Sequence, residues 1–456
     1  MHHSTANHDL GFEIKRTLQL AAPVMIGLFA SFSMNFIDTV MAARLPQKEV
    51  ALAALATGGA LWSAVMLPTI GVLMAVQPSV AHLDGAGRFE AAGEVTRQGL
   101  WIALTLSIPF FVVLYQGSAL LRVMDVDAAI VPVARDYLRA LAWGAPMMCM
   151  MLLLRFYSEG SGHTRPTMYI GVLGALLDIP FNYVLMYGHL GFPALGARGC
   201  GYATALVILL QALALFIYVR THTHYREFRL FGRWDWPHWG EIRELLKVGV
   251  PIAGTMFVEG SLFMAAALLI GRLGPVPTAS HLVAINFSAL VFMIPLGLAS
   301  AVTTRVGNAL GRGDPVGARH AGLIGLGIVL CTQTVSATIM LTVPHLIVAI
   351  YTHEVVIAAM ATSLLFYAAI FQLSDGLQIC SAGILRGYKD TFLPMLVNML
   401  SYWVVGLTLG YYLTFGRDLG PAGMWMGMIA GLTVGAILLT TRFLTHSRAR
   451  IAPLQA

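Results

Sequence analysis

Charge is what this sequence has least of. Only 11% of its 456 residues are Asp, Glu, Lys or Arg, where a soluble domain carries about a quarter. So few charges cannot cover the outside of a water-soluble body of this length. Cysteine is also sparse. The four present (Cys149, Cys200, Cys331, Cys380) are scattered with no paired spacing, which excludes a disulfide framework or a zinc site. Charged low-complexity tracts, Gly-X-Y repeats and heptads are missing, so disorder, collagen and coiled coil are excluded. No P-loop, nucleophile elbow or zinc-protease motif appears, and ATP-driven transport and hydrolysis lack support.

What is there is apolar residue. It makes up 57% of the chain, and mean hydropathy is +0.75. The runs are long and unbroken, unlike the alternating segments of a porin-type barrel. An all-α polytopic membrane protein remains. A helix needs roughly 20 residues to cross the hydrocarbon, and twelve spans fit: 18–43, 52–80, 98–116, 131–154, 166–187, 199–219, 245–271, 279–304, 321–343, 357–384, 394–413 and 421–441. The first run is too long for a signal-peptide core. Pro23, Pro68, Pro109, Pro146, Pro180, Pro251 and Pro295 fall inside spans and predict bends.

The 28 basic residues divide 20 to 8 between alternate loops. By the positive-inside rule both termini are cytoplasmic. The net charge of +6 therefore reads as orientation, and no nucleic-acid partner is expected.

The chain also repeats itself. Pro23 through Arg44-Leu45 lines up with Pro251 through Arg272-Leu273 at an offset of 228, and Gly71, Gly85, Gly87 and Ala92 line up with Gly297, Gly311, Gly313 and Ala318 at 226. Each half holds six spans, so the halves share orientation. The expected organisation is a six-helix lobe at 1–219, a basic linker at 220–244 and a second lobe at 245–456. Two such lobes are the usual chassis of an alternating-access transporter, an architectural analogy.

Four acids sit well inside spans: Asp38, Asp178, Glu259 and Asp375. A buried acid in lipid costs several kcal/mol unless it is protonated, ion-bound or facing water, so each is a functional candidate. Asp38 lies roughly 9 Å from the outer end of its span and Asp178 roughly 20 Å from the inner end of its own, both in the outer half of the first lobe. Asn182 is one turn after Asp178 on the same face, and Thr204 could add a hydroxyl. Two carboxylates, an amide oxygen and a hydroxyl suit a small hard cation such as Na⁺ or a shared proton. The repeat does not copy these acids, for Asp38 matches Ala266 and Glu259 matches Ser31. Glu259 and Asp375, near mid-membrane, could bind a cation, attract a cationic substrate, or do both.

The segments FIDT around Asp38, PIAGTMFVEGSLF around Glu259, DIPFNYVLMYG around Asp178 and FQLSDGLQICSAGILRGYKD around Asp375 resemble the multidrug and toxic compound extrusion (MATE) family of the NorM type. The resemblance covers nearly the whole chain. It implies twelve helices in two lobes around a V-shaped cleft. It also implies export of amphipathic, mostly cationic compounds against entry of Na⁺ or H⁺, with no other cofactor. Under it Asp38 matches a first-lobe cation-site carboxylate and Asn182 its amide partner, while Glu259 and Asp375 match the second-lobe carboxylates. NorM-type members often carry Asn where this chain has Asp178, and Asp there is more similar to the proton-coupled branch. The coupling ion stays open between Na⁺ and H⁺.

The alternatives are a lipid or polysaccharide-precursor flippase, whose cleft should carry basic residues for a pyrophosphate, and an integral membrane lipid enzyme, which needs a nucleophile or metal set. No span carries a deep Lys or Arg. Met147, Met148, Met150 and Met151 read as apolar filling or as a surface adaptable to many ligands. Gly423, Gly427, Gly431 and Gly435 recur at four-residue spacing, a ladder for close helix packing inside the lobe. His222 and His224 resemble a short metal pair but read as a solvated linker. Drugs and membrane lipids are the expected partners of a monomer in a bacterial inner membrane.

Overall fold

The computed structural model describes residues 10–124 and 126–451. The ends of the two expected lobes, 1–9 and 452–456, lie outside them. Two compact units arise. One comprises Ile26–Phe257, and the other joins the segment ending at Met25 to everything from Val258 onward.

The first unit holds α1 (Leu10–Ala42, from Ile26), α2 (Lys48–Leu73), α3 (Val76–Gly85), α4 (Phe89–Tyr115), α5 (Gly117–Val123), α6 (Ile130–Ala142), α7 (Ala145–Gly160), α8 (Arg165–Tyr187), α9 (Ala197–Thr221) and the start of α10 (Trp239–Gly271). The second holds the rest of α1 and α10, then α11 (Pro275–Gly311), α12 (Pro315–Thr342), α13 (Pro344–Tyr351), α14 (Val355–Gly387), α15 (Phe392–Met399), α16 (Thr408–Tyr411) and α17 (Pro421–Ile451). The turns at Leu400–Leu407 and Tyr412–Gly416 are wound as π-helix, and α15 to Gly416 runs as one span. Among the described residues eleven helices are long and apolar enough to cross a membrane, and α6 with α7, counted as one span, makes twelve. All twelve expected spans are therefore helical, with one departure. The span expected at 131–154 is not one rod, because α6 and α7 meet at 48°. Pro146 lies at the start of α7, where its missing N–H costs nothing.

Small residues set the spacing of the first unit. A Cβ at Gly27 of α1 would lie 2.6 Å from the Thr167 carbonyl oxygen of α8, and one at Gly171 would lie 2.6 Å from the Gly27 carbonyl oxygen. Only hydrogens fit there, so α1 and α8 touch backbone to backbone. Gln211 of α9 donates 2.8 Å to the Ile170 carbonyl, tying α9 to α8.

In the second unit, Arg305 of α11 donates to the Glu13 carbonyl at 3.0 Å and pairs with the Glu13 carboxylate. The start of α1 is thereby fixed to α11. The glycine ladder of α17 is used for packing within the unit. Cβ atoms at Gly423, Gly427 and Gly431 would strike backbone atoms of Leu413, Gly410 and Ser401 at 2.6, 2.3 and 2.7 Å.

The linker after α9 is not simply solvated. Arg97 of α4 donates to Asp235 at 2.5 Å and to the Arg229 carbonyl at 2.9 Å. Gln98 donates to the Trp236 carbonyl and accepts from the His238 N–H. His222 and His224 are half-buried and meet His163 from the α7–α8 loop, with ring centroids 4.8 Å apart in each pair. These rings pack partly face to face, so their lone pairs do not converge. Among the described residues no three His, Cys, Asp or Glu side chains could hold a metal ion.

Burial, then the neighbouring His224, His222 and Arg165, holds the His163 imidazole down at about 4 from its usual 6.5. His224 is lowered too, mainly by burial, although Asp84 and Glu227 oppose this. Tyr218 and Tyr225 complete the surroundings without charge. A released linker takes up protons first, so docking is fully favoured above about 6.5 and weakens as pH falls towards 4. Hydrogen exchange over residues 222–238, corrected for intrinsic rates, should therefore show less protection at acidic than at neutral pH. His163→Gln should flatten that dependence. Equal protection at both pH values, after correction, would refute the docking account.

Candidate functional site

In the first unit, the close approach of α1 to α8 carries Asp38 to Asn182, whose Nδ2 donates to Asp38 Oδ1 at 2.7 Å. A second bond further along, from the Tyr187 hydroxyl to the Met41 carbonyl at 2.7 Å, holds the same helix pair. Asp178, one turn before Asn182, is fully buried. Asp178, Cys200 and Thr204 all lie within side-chain interaction range of Asp38. The Thr204 hydroxyl donates to the Cys200 carbonyl at 3.0 Å, leaving its oxygen lone pairs free to accept. Both carboxylate oxygens of Asp178 and Oδ1 of Asn182 are buried without a hydrogen-bond partner among the described residues.

Apart from the Cys200 thiol that set is all oxygen, with three orphaned acceptors beside a second carboxylate. It fits a hard cation or a shared proton, since two acceptor-only carboxylates at close range cannot both stay charged alone. Glu159 shows the contrast. This buried acid near the end of α7 accepts from Arg155 at 2.7 Å and from Thr167 at 3.0 Å. Tyr137 of α6 lies within electrostatic range of Asp38, Asp178 and Cys200 and did not stand out in the sequence. An aromatic in an apolar helix carries no mark of its neighbours.

In the second unit, Glu259 lies within electrostatic range of Asp375, which is 2% exposed. Among the described residues Asp375 Oδ1 has no hydrogen-bond partner, and neither has the amide of Gln378 or Asn398, the Ser401 hydroxyl or the Tyr402 hydroxyl. Gln378, Asn398 and Ser401 converge on Gly435, where a Cβ would meet each at 3.6–3.7 Å. Tyr402 lies within range of both acids. The π-helical turn at Leu400–Leu407 holds Ser401 and Tyr402, as such turns often do at functional sites. Gln378 was legible as a polar residue in an apolar run; Ser401 and Tyr402 were not.

These features define an integral membrane protein of helical spans, with unpaired carboxylates buried inside each of its two units. The MatE family model matches it twice, at residues 23–184 and 251–412, and the two matches begin on the prolines that the internal repeat aligns. The chain belongs to this MATE family, and it is a transporter rather than an enzyme. It is 44% identical to the probable multidrug resistance protein NorM of Xanthomonas campestris pv. campestris, over 96% of this chain and 95% of that one. It is 41% identical to the multidrug resistance protein PmpM of Pseudomonas aeruginosa, over 96% and 92%. Among solved structures, the eukaryotic MATE transporter AtDTX14 shares the fold at a TM-score of 0.87 and 20% identity, covering 97% of this chain and 98% of its own.

Proposed function

We propose that this protein is a multidrug efflux antiporter that exports amphipathic, mostly cationic compounds in exchange for Na⁺ or H⁺. The observation that carries the coupling is the set of orphaned acceptors on Asp178 and Asn182 beside Asp38. In this reading Asp38, Asp178, Asn182 and Thr204 take the ion. Glu259 and Asp375 take the cationic substrate, a second ion, or each in turn. Relatives named as multidrug resistance proteins support the substrate class. The 20-to-8 division of basic residues supports cytoplasmic termini, and the bacterial relatives support a bacterial inner membrane.

The ion enters from outside and favours a state of low drug affinity. Drug leaves, the protein turns inward, and the ion exits. This exchange requires only that ion and drug bind the two states unequally. Export of a cationic dye from vesicles should follow one of two gradients, sodium or proton, imposed separately. Dye movement indifferent to both gradients would end the antiport reading.

A further inference from the structure

A cavity of about 430 Å³ lies in the first unit among α4, α7, α9 and the docked linker. That is within the roughly 300–1,000 Å³ of small-molecule sites. Arg220, at its rim, is 16 residues beyond Thr204 on α9, about 24 Å at 1.5 Å per residue. The cavity is thus remote from the carboxylates.

Its walls have two characters. Inside, Leu100, Leu154 and Phe216 make an apolar slot, and Trp101 and Trp234 line it further out. Arg220 and Arg233 are exposed and stand at the rim, Arg97 lies buried behind them, and Asp235 is the one acid among the lining residues. Asp235 accepts from both Arg97 and Arg233, and Glu94 pairs with Arg233 at 3.3 Å. Arg220 is exposed and has no ion-pair partner among the described residues. Glu241 lies within electrostatic range of Arg97, Glu94 and Asp235, so the acids offset Arg97 and Arg233, and the positive charge left at the rim is that of Arg220.

The outer wall is built rather than draped. A Cβ at Gly93 would lie 2.0 Å from the Phe228 carbonyl oxygen, so the linker backbone rests on α4. The Trp101 indole donates 3.0 Å to the Asp235 carbonyl. Trp234 and Trp236 flank the Trp101 ring at 5.5 and 6.5 Å, yet are 63% and 77% exposed. Exposed tryptophans beside arginines at the end of a span are the composition of a headgroup layer. On α4 and α9 nearby, Leu104, Leu213 and Ile217 are exposed apolar residues, facing where acyl chains lie.

We propose that this cavity holds an anionic phospholipid from the leaflet on the linker side, its phosphate on Arg220 and one acyl chain in the slot between α4, α7 and α9. A cationic amphiphile would meet the wrong sign of charge at the rim. A free phosphate would leave the apolar slot without a partner. The bound lipid touches α4, α7, α9 and the linker together, so it stabilises the docked linker.

The test is native mass spectrometry of the purified full chain in detergent, titrated with phosphatidylglycerol or phosphatidylcholine of matched chains. No gradient is applied, so the result is independent of transport. The wild type should retain phosphatidylglycerol about tenfold better, the scale of one charge-assisted hydrogen bond. Arg220→Gln should remove that preference and Arg220→Lys should keep part of it. Leu100→Trp, at a half-buried position, should lower retention of both lipids. Equal retention by the wild type, an unchanged preference in Arg220→Gln, or equal competition by chainless glycerophosphate would each overturn the proposal. If Leu100→Trp fails to fold, the Arg220 variants still decide it.

Discussion

Replacing Asp38 with asparagine should reduce gradient-driven dye export to background, a loss well beyond tenfold, with the protein still folded. The two halves of this expectation have separate causes. Asn182 Nδ2 donates to Asp38 Oδ1 at 2.7 Å, and an amide oxygen at position 38 can accept the same bond. Side-chain volume is nearly unchanged, so packing should survive. What goes is the charge. An amide holds neither a coupling proton nor the negative charge that draws a sodium ion, so the ion no longer distinguishes the two states of the cycle. Asp375→Asn should act similarly in the second unit, where the carboxylate stands among unpartnered amides and hydroxyls. Export would be followed in vesicles, and folding by size-exclusion profile and thermal melt. If both variants exported dye like the wild type, the carboxylates would have no part in coupling. An unfolded Asp38→Asn would instead point to a structural acid, as Glu159 is.

The same residues show how far a sequence can be read. Asp178 and Asn182 stand one turn apart, so a single helical face could be drawn from spacing alone. Asp38 could be assigned to the same depth from its distance to Arg44. Its contact with Asn182 could not be deduced, because that depends on Gly27 and Gly171 letting two backbones meet, and abundant glycine hides the few that matter. Tyr137 was illegible for a related reason: its position beside three polar groups is a property of α6 packing on α9. In the second unit Asp375 was visible as an acid in an apolar run, but Tyr402 comes within range of it, and Ser401 towards Gly435 beside Gln378, through a π-helical turn, and no periodic pattern announces one. The linker misled differently. Its histidines and arginines have the composition of a solvated loop, yet Arg97 and Gln98, buried on α4, bind its backbone. Backbone acceptors leave no trace in residue identity.

Gly427→Ala should be the most destabilising small substitution in the second unit, whereas Gly435→Ala should be nearly silent. Both glycines belong to one four-residue ladder, and the sequence gives no reason to separate them. The structure does. A Cβ at Gly427 would lie 2.3 Å from both the Cα and the N of Gly410 and 2.5 Å from the Gly406 carbonyl oxygen. These are backbone atoms, which no rotamer change can move aside. At Gly435 the nearest atom is Asn398 Oδ1 at 3.6 Å, ordinary contact. Overpacking of this kind costs about 1–3 kcal/mol and occasionally more. The thermal midpoint in detergent should drop clearly for Gly427→Ala and stay near the wild type for Gly435→Ala. The displaced strut would be the span through Gly406 and Gly410, which also carries Ser401 and Tyr402. The folded fraction of Gly427→Ala should therefore export poorly while Asp38 and its partners are untouched. Equal midpoints for the two variants would show that α17 and this span do not pack as closely as described, and the polar cluster near Asp375 would lose its support.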